Sequence, residues 1–224
     1  MKTLSPREAY RRWAPSYGAE TAVTHLDELL VGRLTPPLAG RALLDVGCGT
    51  GRRLRQIDAR DALGIEPCAE MLAAGAEDGA WPRHVRLLQG DVRALPIAAE
   101  FDVVWSRLVL GHVAELRRAY AELARVTAPG GRLIVTDFHP RAVEVGHRRT
   151  FRDAEGVHAI EHHPHPLGAH RAAAAVAGLE LAEVREGRIG PEVRRFYAQA
   201  GKLALYDIEA DLPIVLALAF ENAN

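Results

Sequence analysis

The sequence predicts an α/β fold: a doubly wound, mostly parallel sheet of seven strands with an antiparallel C-terminal strand and helices on both faces. Three observations predict it. Apolar runs alternate with helical segments from "ALLDV" (42–46) to "RLIVTDF" (132–138), the rhythm of strands joined by crossover helices. A glycine-rich turn, "DVGCGTG" (45–51), follows the first of these strands. Two late strands, "LELAEVRE" and "PIVLALAF", lie beyond the repeating part and fit a final hairpin on the edge of the sheet.

The elements follow in order. "SPREAYRRWA" opens as a helix, with Ser5 as N-cap, Pro6 at the first helical position and Glu8 completing a capping box. Pro15 ends it. A second helix runs from about Ala19 to Leu34, with Val23, Leu26, Leu30 and Leu34 at helical spacing, and "TPPLAG" breaks it. "ALLDV" is the first core strand, and "GRRLRQID" begins a helix. "ALGIE", "HVRLLQGD" and "FDVVWS" are the next strands, with the helix "PCAEMLAAGAED" between the first two. "HVAELRRAYAELARVTA" is a helix carrying Val113, Leu116, Tyr120 and Leu123 on one face, stopped by "PGG" before the fifth strand. Residues 139–170 interrupt the alternation and hold a hairpin around "TFRDAEGVHAIE". A helix from about Leu167 to Ala177 and a helical stretch "PEVRRFYAQAGK" accompany the two late strands.

The bulk numbers limit what this fold serves. A chain of 224 residues suits one α/β domain with an elaboration. A formal charge of −1 gives no coat for nucleic acid or an anionic membrane. The two cysteines, Cys48 and Cys68, make no disulfide framework. "MKTLSPREAYRRW" lacks the apolar stretch of a signal peptide, and "LPIVLALAF" is too short to span a bilayer, so a cytoplasmic protein is expected.

The glycine turn decides the ligand class. In open α/β sheets ligands bind beyond the carboxyl ends of the strands. A phosphate-binding P-loop needs a terminal GKS or GKT, which "GTGRRL" lacks. A dinucleotide fingerprint needs a third glycine where Arg52 stands. What remains is DxGxGxG, Asp45 to Gly51.

That segment, "LLDVGCGTGR", resembles the first signature of the class I S-adenosylmethionine-dependent methyltransferases, whose fold is Rossmann-like. The ordered set of matches spans residues 43–137. The resemblance implies that Asp45, Gly47, Cys48, Gly49 and Gly51 bed the methionine end of the cofactor. It implies that Glu66 in "GIEPCAEML" holds both ribose hydroxyls, with Pro67 and Met71 beside it, a geometry a carboxylate accepts well. Asp91 in "QGDVRALPI" takes the adenine amino group, and Val92 lies against the ring. Ser106 ends the strand "FDVVWSRLVLGHV", whose backbone meets the methionine end, and Tyr17 in "YRRWAPSYG" folds over the cofactor. The resemblance implies S-adenosylmethionine as the cofactor and S-adenosylhomocysteine as its product. By the same resemblance residues 1–38 form a helical lid on a cofactor-binding core (39–138), 139–170 a substrate-side insertion, and 171–224 the closing helix and hairpin of a single domain.

Methyl transfer is a one-step displacement in which the protein aligns the reactants and removes any proton blocking the nucleophile. His112 and His139 follow the fourth and fifth strands and are the candidate bases, although each also suits a helix start bonded to backbone. Seven of the ten histidines fall between 139 and 170. Glu161, His162, His163, His165 and His170 are of metal-ligating type, but "EHHPHP" has no i,i+4 helical pair and its prolines favour an extended rim. We therefore expect no metal, and a cover over the acceptor with His163 and His165 as contacts. The segment after the fourth strand lacks the (D/N)PP(Y/F) motif of methylation at adenine or glutamine amino groups, and no Pro-Cys loop offers the covalent cysteine used on cytosine C5. The expected partner is a small-molecule acceptor rather than nucleic acid or membrane, with the protein a monomer or homodimer. A catalytically inactive cofactor-binding regulator stays open as the alternative.

Overall fold

The first strand of the chain is one the sequence pattern does not announce: β1 (Lys2–Leu4) precedes the expected helix α1 (Pro6–Trp13). Ser5 caps α1 by accepting from the Glu8 amide at 3.4 Å, but only half the capping box forms, because the Glu8 carboxylate turns to Arg11 at 2.9 Å. Helix α2 (Ala22–Leu34) starts later than expected, where Thr21 and Thr24 cap each other reciprocally. The computed structural model describes residues 1–223.

The core then follows as β2 (Ala42–Val46), β3 (Asp61–Glu66), α3 (Ala69–Glu77), β4 (Val85–Gln89), β5 (Phe101–Arg107), α4 (Leu116–Arg125) and β6 (Thr127–Phe138). Three boundaries differ from the sequence reading. "GRRLRQID" forms only a short 3₁₀ turn, Arg52–Gln56, because Leu54 is its single buried anchor and the arginines around it have no apolar face to lay down. Helix α4 begins at Leu116, and the residues before it, Leu110–His112, make a separate 3₁₀ turn. The "PGG" segment lies inside β6: Phe101 pairs with Thr127 and Val103 with Arg132, so residues 128–131 bulge out of register, with Gly130 at φ +69°.

The rest runs α5 (Pro140–Glu144), β7 (Thr150–Asp153), β8 (Gly156–Ile160), α6 (Leu167–Val176), β9 (Leu179–Arg188), α7 (Arg194–Gln199), α8 (Leu203–Ile208) and β10 (Pro213–Asn222). The main sheet has seven strands in the order β4-β3-β2-β5-β6-β10-β9, all running the same way except β10, which is antiparallel to both its neighbours. Both faces are buried. Leu44, Val46 and Val104 pack with Tyr120 and Leu123 of α4 and with Ala173 of α6, while Leu43, Val103 and Ile134 pack with Leu26 and Leu30 of α2. The strand order reverses between β2 and β5, which opens a crevice at their carboxyl ends. Over that crevice sits a second, three-stranded sheet, β1-β8-β7, in which Leu4 pairs with Ile160.

No helix among the described residues is long and apolar enough to cross a membrane.

Candidate active site

A cavity of about 570 Å³ fills the crevice, between a floor made by strand ends and a roof made by α1, Tyr17, His112 and Arg149. The floor is built by backbone. Gly47, at φ +80°, lies so close to Val109 that a Cβ there would enter that side chain. Its amide donates to the Ile65 carbonyl at 2.7 Å, which ties the loop to the end of β3. Gly49, at φ +62°, faces Met71 and the Tyr17 ring.

Glu66 ends β3 with each carboxylate oxygen already oriented. The Gly49 amide donates to Oε2 and the Cys68 amide to Oε1, both at 3.0 Å. Burial pushes its carboxyl up to about 7, against the two amides and with Asp45 nearby adding to the rise. A carboxylate held this way keeps lone pairs for a second donor at each oxygen, as vicinal hydroxyls require.

Beneath the loop lies a buried ion network. Arg107, at the end of β5, donates to Asp27 at 2.7 Å and to Glu28 at 2.7 Å, and Thr136 Oγ1 donates to Asp27 Oδ1 at 2.5 Å. Asp45 stands beside it with Oδ1 buried and without a hydrogen-bond partner among the described residues, and its carboxyl is raised to about 6 by burial. Arg107 Nη1 and Ser106 Oγ are likewise buried without such a partner. Asp45 and Arg107, which act on each other through their charges, thus each keep a buried polar atom without a hydrogen-bond partner among the described residues.

The roof is built by side chains. Tyr10 Oη lies 3.0 Å from His112 Nε2 and accepts from Arg149 Nε at 3.1 Å and Nη2 at 2.8 Å. His112 Nδ1 lies 3.1 Å from the Glu161 carbonyl, which only accepts, so Nδ1 carries the proton and Tyr10 donates to Nε2. Burial, helped by the Arg149 charge, lowers this imidazole to about 3, so it is neutral at physiological pH. Both of its nitrogens are occupied.

Of the residues singled out in the sequence, the structure brings Tyr17, Gly47, Gly49, Glu66, Pro67, Met71, Asp91 and Val92 to the cavity. His112 lines it as well. Asp91 is clamped by Arg93, with Oδ2 at 2.6 Å from Nη2, and that contact holds its carboxyl below the usual range. Asp45, Cys48, Gly51 and Ser106 lie behind the lining: Cys48 points its sulfur toward Gly64 and Leu54, and Gly51 packs on Trp81 and Leu87.

The structure does not bring His139, His163 or His165 to the cavity. His139 caps α5, accepting from the Arg141 amide at 3.1 Å, and its Nε2 sits 3.3 Å from Glu186. The segment 161–166 instead straps the roof down: the His163 amide donates to Gly111 O at 2.7 Å and His165 Nε2 to Val113 O at 2.8 Å. His170 is buried against Tyr120. No group of three metal-ligating side chains converges among the described residues.

Sequence reasoning missed Tyr10, Arg149 and Arg107. Tyr10 lay within the N-terminal helix already noted, one helical face from Trp13 and Tyr17; nothing local marks Arg149.

The chain is similar to known proteins over most of its length. A family model described as a methyltransferase domain matches residues 44–135. The chain is 35% identical over 173 residues to the 27-O-demethylrifamycin SV methyltransferase of Amycolatopsis mediterranei, a match covering 72% of this chain and 61% of that protein. It is 30% identical over 170 residues to the malonyl-[acyl-carrier protein] O-methyltransferase of Xylella fastidiosa, covering 72% and 57%. The chain thus spans about three-fifths of the length of these curated relatives. Among solved structures it superposes on an S-adenosylmethionine dependent methyltransferase from Mesorhizobium loti with a TM-score of 0.67 at 20% identity, over 92% of this chain and 99% of that one.

Proposed function

We propose that this chain, similar over 72% of its length to a curated methyltransferase and matched over residues 44–135 by a methyltransferase-domain model, is a class I S-adenosylmethionine-dependent methyltransferase that methylates a small-molecule acceptor bound in the cavity beneath Tyr10. The observation that carries the reading is Glu66, fixed by two backbone amides at the floor of a cavity large enough for a nucleoside and a second small molecule.

The residues present fit the cofactor. Glu66 accepts from the two ribose hydroxyls, while Gly47 and Gly49 leave room that any Cβ would fill. Asp45 Oδ1 and Arg107 Nη1, both buried without a partner among the described residues, suit an ammonium and a carboxylate. Asp91 and Val92 face the adenine, and Tyr17 covers Gly49 from above. When bound, S-adenosylmethionine supplies a sulfonium methyl: the acceptor's electron pair forms the new bond to carbon as the carbon–sulfur pair returns to sulfur.

The chain's own work is alignment and exclusion of water. The roof residues Tyr10, Tyr17 and His112 close the cavity from above. Tyr10 donates its proton to His112, which sets the direction of the hydroxyl by accepting from it. His112 is therefore a positioning residue here, and His139 takes no part in the site.

Calorimetry with S-adenosylmethionine, S-adenosylhomocysteine and NAD tests the reading. Both adenosyl ligands bind, Glu66→Ala weakens them, and NAD does not bind. Binding of NAD alone overturns the proposal. Cofactor binding without transfer to any acceptor in a broad panel favours the regulatory alternative.

A further inference from the structure

Resting on the cofactor reading above, we propose that the methyl acceptor is an organic anion, gripped through a carboxylate or phosphate group by Arg149 in the roof of the cavity.

The argument begins with the other arginines that reach the cavity. Arg107 is neutralised by Asp27 and Glu28. Arg93 is neutralised by Asp91 at 2.6 Å. Arg7 is exposed at the rim. Arg149 is half-buried and lines the cavity, yet no carboxylate among the described residues comes within ion-pair distance of it. Both of its hydrogen bonds, from Nε and Nη2, go to the single oxygen of Tyr10.

That arrangement uses one edge of the guanidinium and leaves the other. Tyr10 Oη accepts two N–H groups and donates its own to His112, so it is saturated. The Nη1–Nη2 edge has no partner among the described residues. A planar pair of parallel N–H donors is the fork that meets a carboxylate or phosphate with two hydrogen bonds. Tyr10 holds the plane of that fork, and His112 holds Tyr10, through contacts between residues far apart in the chain.

Charge balance points the same way. A guanidinium withdrawn from water without a counter-ion is costly. The cofactor does not offset it, because a sulfonium and an ammonium outweigh one carboxylate. Its carboxylate already has a cation in Arg107, whose buried Nη1 lies with Asp45 under the glycine loop. The cavity acids are engaged elsewhere, Glu66 by backbone amides and Asp91 by Arg93. Asp137, buried behind Gly111, acts on the guanidinium only from beyond ion-pair distance and does not line the cavity, so within the cavity the remaining source of negative charge is the acceptor.

The test uses the full chain saturated with S-adenosylhomocysteine and three matched sets of probes: hexanoate, hexanamide and hexyl phosphate; phenylacetate, phenylacetamide and benzyl phosphate; and the dianion succinate against succinamide. Calorimetry reads their binding to the wild type, Arg149→Gln and Arg149→Lys. We expect anions to bind and their amides not to, with Arg149→Gln weakening the anions by about tenfold or more and Arg149→Lys recovering part of the loss. The carboxylate and phosphate arms identify which anion the fork takes. Affinity for S-adenosylhomocysteine itself stays as in the wild type in both variants. Equal binding of amides and anions overturns the proposal, as does silence of every anion. So does a loss confined to S-adenosylhomocysteine affinity in Arg149→Gln, which would assign the guanidinium to the cofactor's own carboxylate. Failure of the wild type to bind S-adenosylhomocysteine at all is a different result, and removes the cofactor reading on which this one stands.

Discussion

The floor and the roof of the cavity are made in opposite ways. The floor is backbone: amides of Gly49 and Cys68 on Glu66, an amide of Gly47 on the end of β3, glycines where side chains would collide. Apart from the Arg107–Asp27 pair beneath it, its polar contacts join residues close in sequence or on adjacent strands of one sheet. The roof is side chain: Tyr10 to His112 across 102 positions, and Tyr10 to Arg149 across 139. A site whose common ligand never changes can be set in rigid strand ends. On the reading proposed above, the part that fits the acceptor is carried by side chains of α1 and by Arg149, outside the main core.

The comparison breaks most severely at the footing of the floor. Asp27→Ala removes the buried partner of Arg107 (the two side chains are 1% and 4% exposed) and leaves it paired only with the exposed Glu28, with Asp45 nearby, so the protein should lose about 3–5 kcal/mol of stability in urea unfolding. An unchanged midpoint would mean that Glu28 alone suffices. Next, Glu66→Ala should weaken S-adenosylhomocysteine by about 10- to 100-fold, two charge-accepting contacts being lost, with the fold retained in circular dichroism.

On the roof, Tyr10→Phe removes the oxygen shared by Arg149 and His112. It should cost acceptor turnover more than cofactor affinity, by roughly tenfold against at most about twofold, measured by initial rates and calorimetry. An equal loss of both would erase the distinction drawn here. The pH dependence sharpens it from the other side. Glu66 and Asp45 are raised to about 7 and about 6, so the ligand-free fold binds more protons than the unfolded chain between about pH 4 and 7. Their contribution to stability is therefore full at the acidic end and is lost as pH rises through those values. Thermal unfolding of Glu66→Gln should follow a flatter curve over this window, while Tyr10→Phe leaves the slope unchanged. The smallest effect is at the helix cap of the lid: Ser5→Ala should lower stability by about 0.5 kcal/mol, since the capping contact is long and exposed.

The sequence by itself determined the main sheet and the floor. Alternating apolar runs give parallel strands whatever surrounds them, and a glycine at 47 or 49 is required by a backbone conformation and a close approach that local sequence already encodes. Glu66 was legible because it sits at a strand end a fixed distance from that turn. The misread elements are those with weak local signals: the arginine-rich turn after Gly51 has one apolar anchor, and β1 is three residues long and exists only because β8 offers it an edge. Tertiary structure alone decided the roof. It spread the histidines that cluster in sequence, setting His139 on a cap, His170 in the core, and His163 and His165 along a strap over residues 111–113. It also placed Arg149, unremarkable among its neighbours, against Tyr10 at the top of the cavity. The physical reason is the range of the forces involved. Strand periodicity and backbone strain act between near neighbours and leave a pattern in the chain, whereas a side-chain hydrogen bond between two folded elements is fixed only when their packing brings them within about 3 Å.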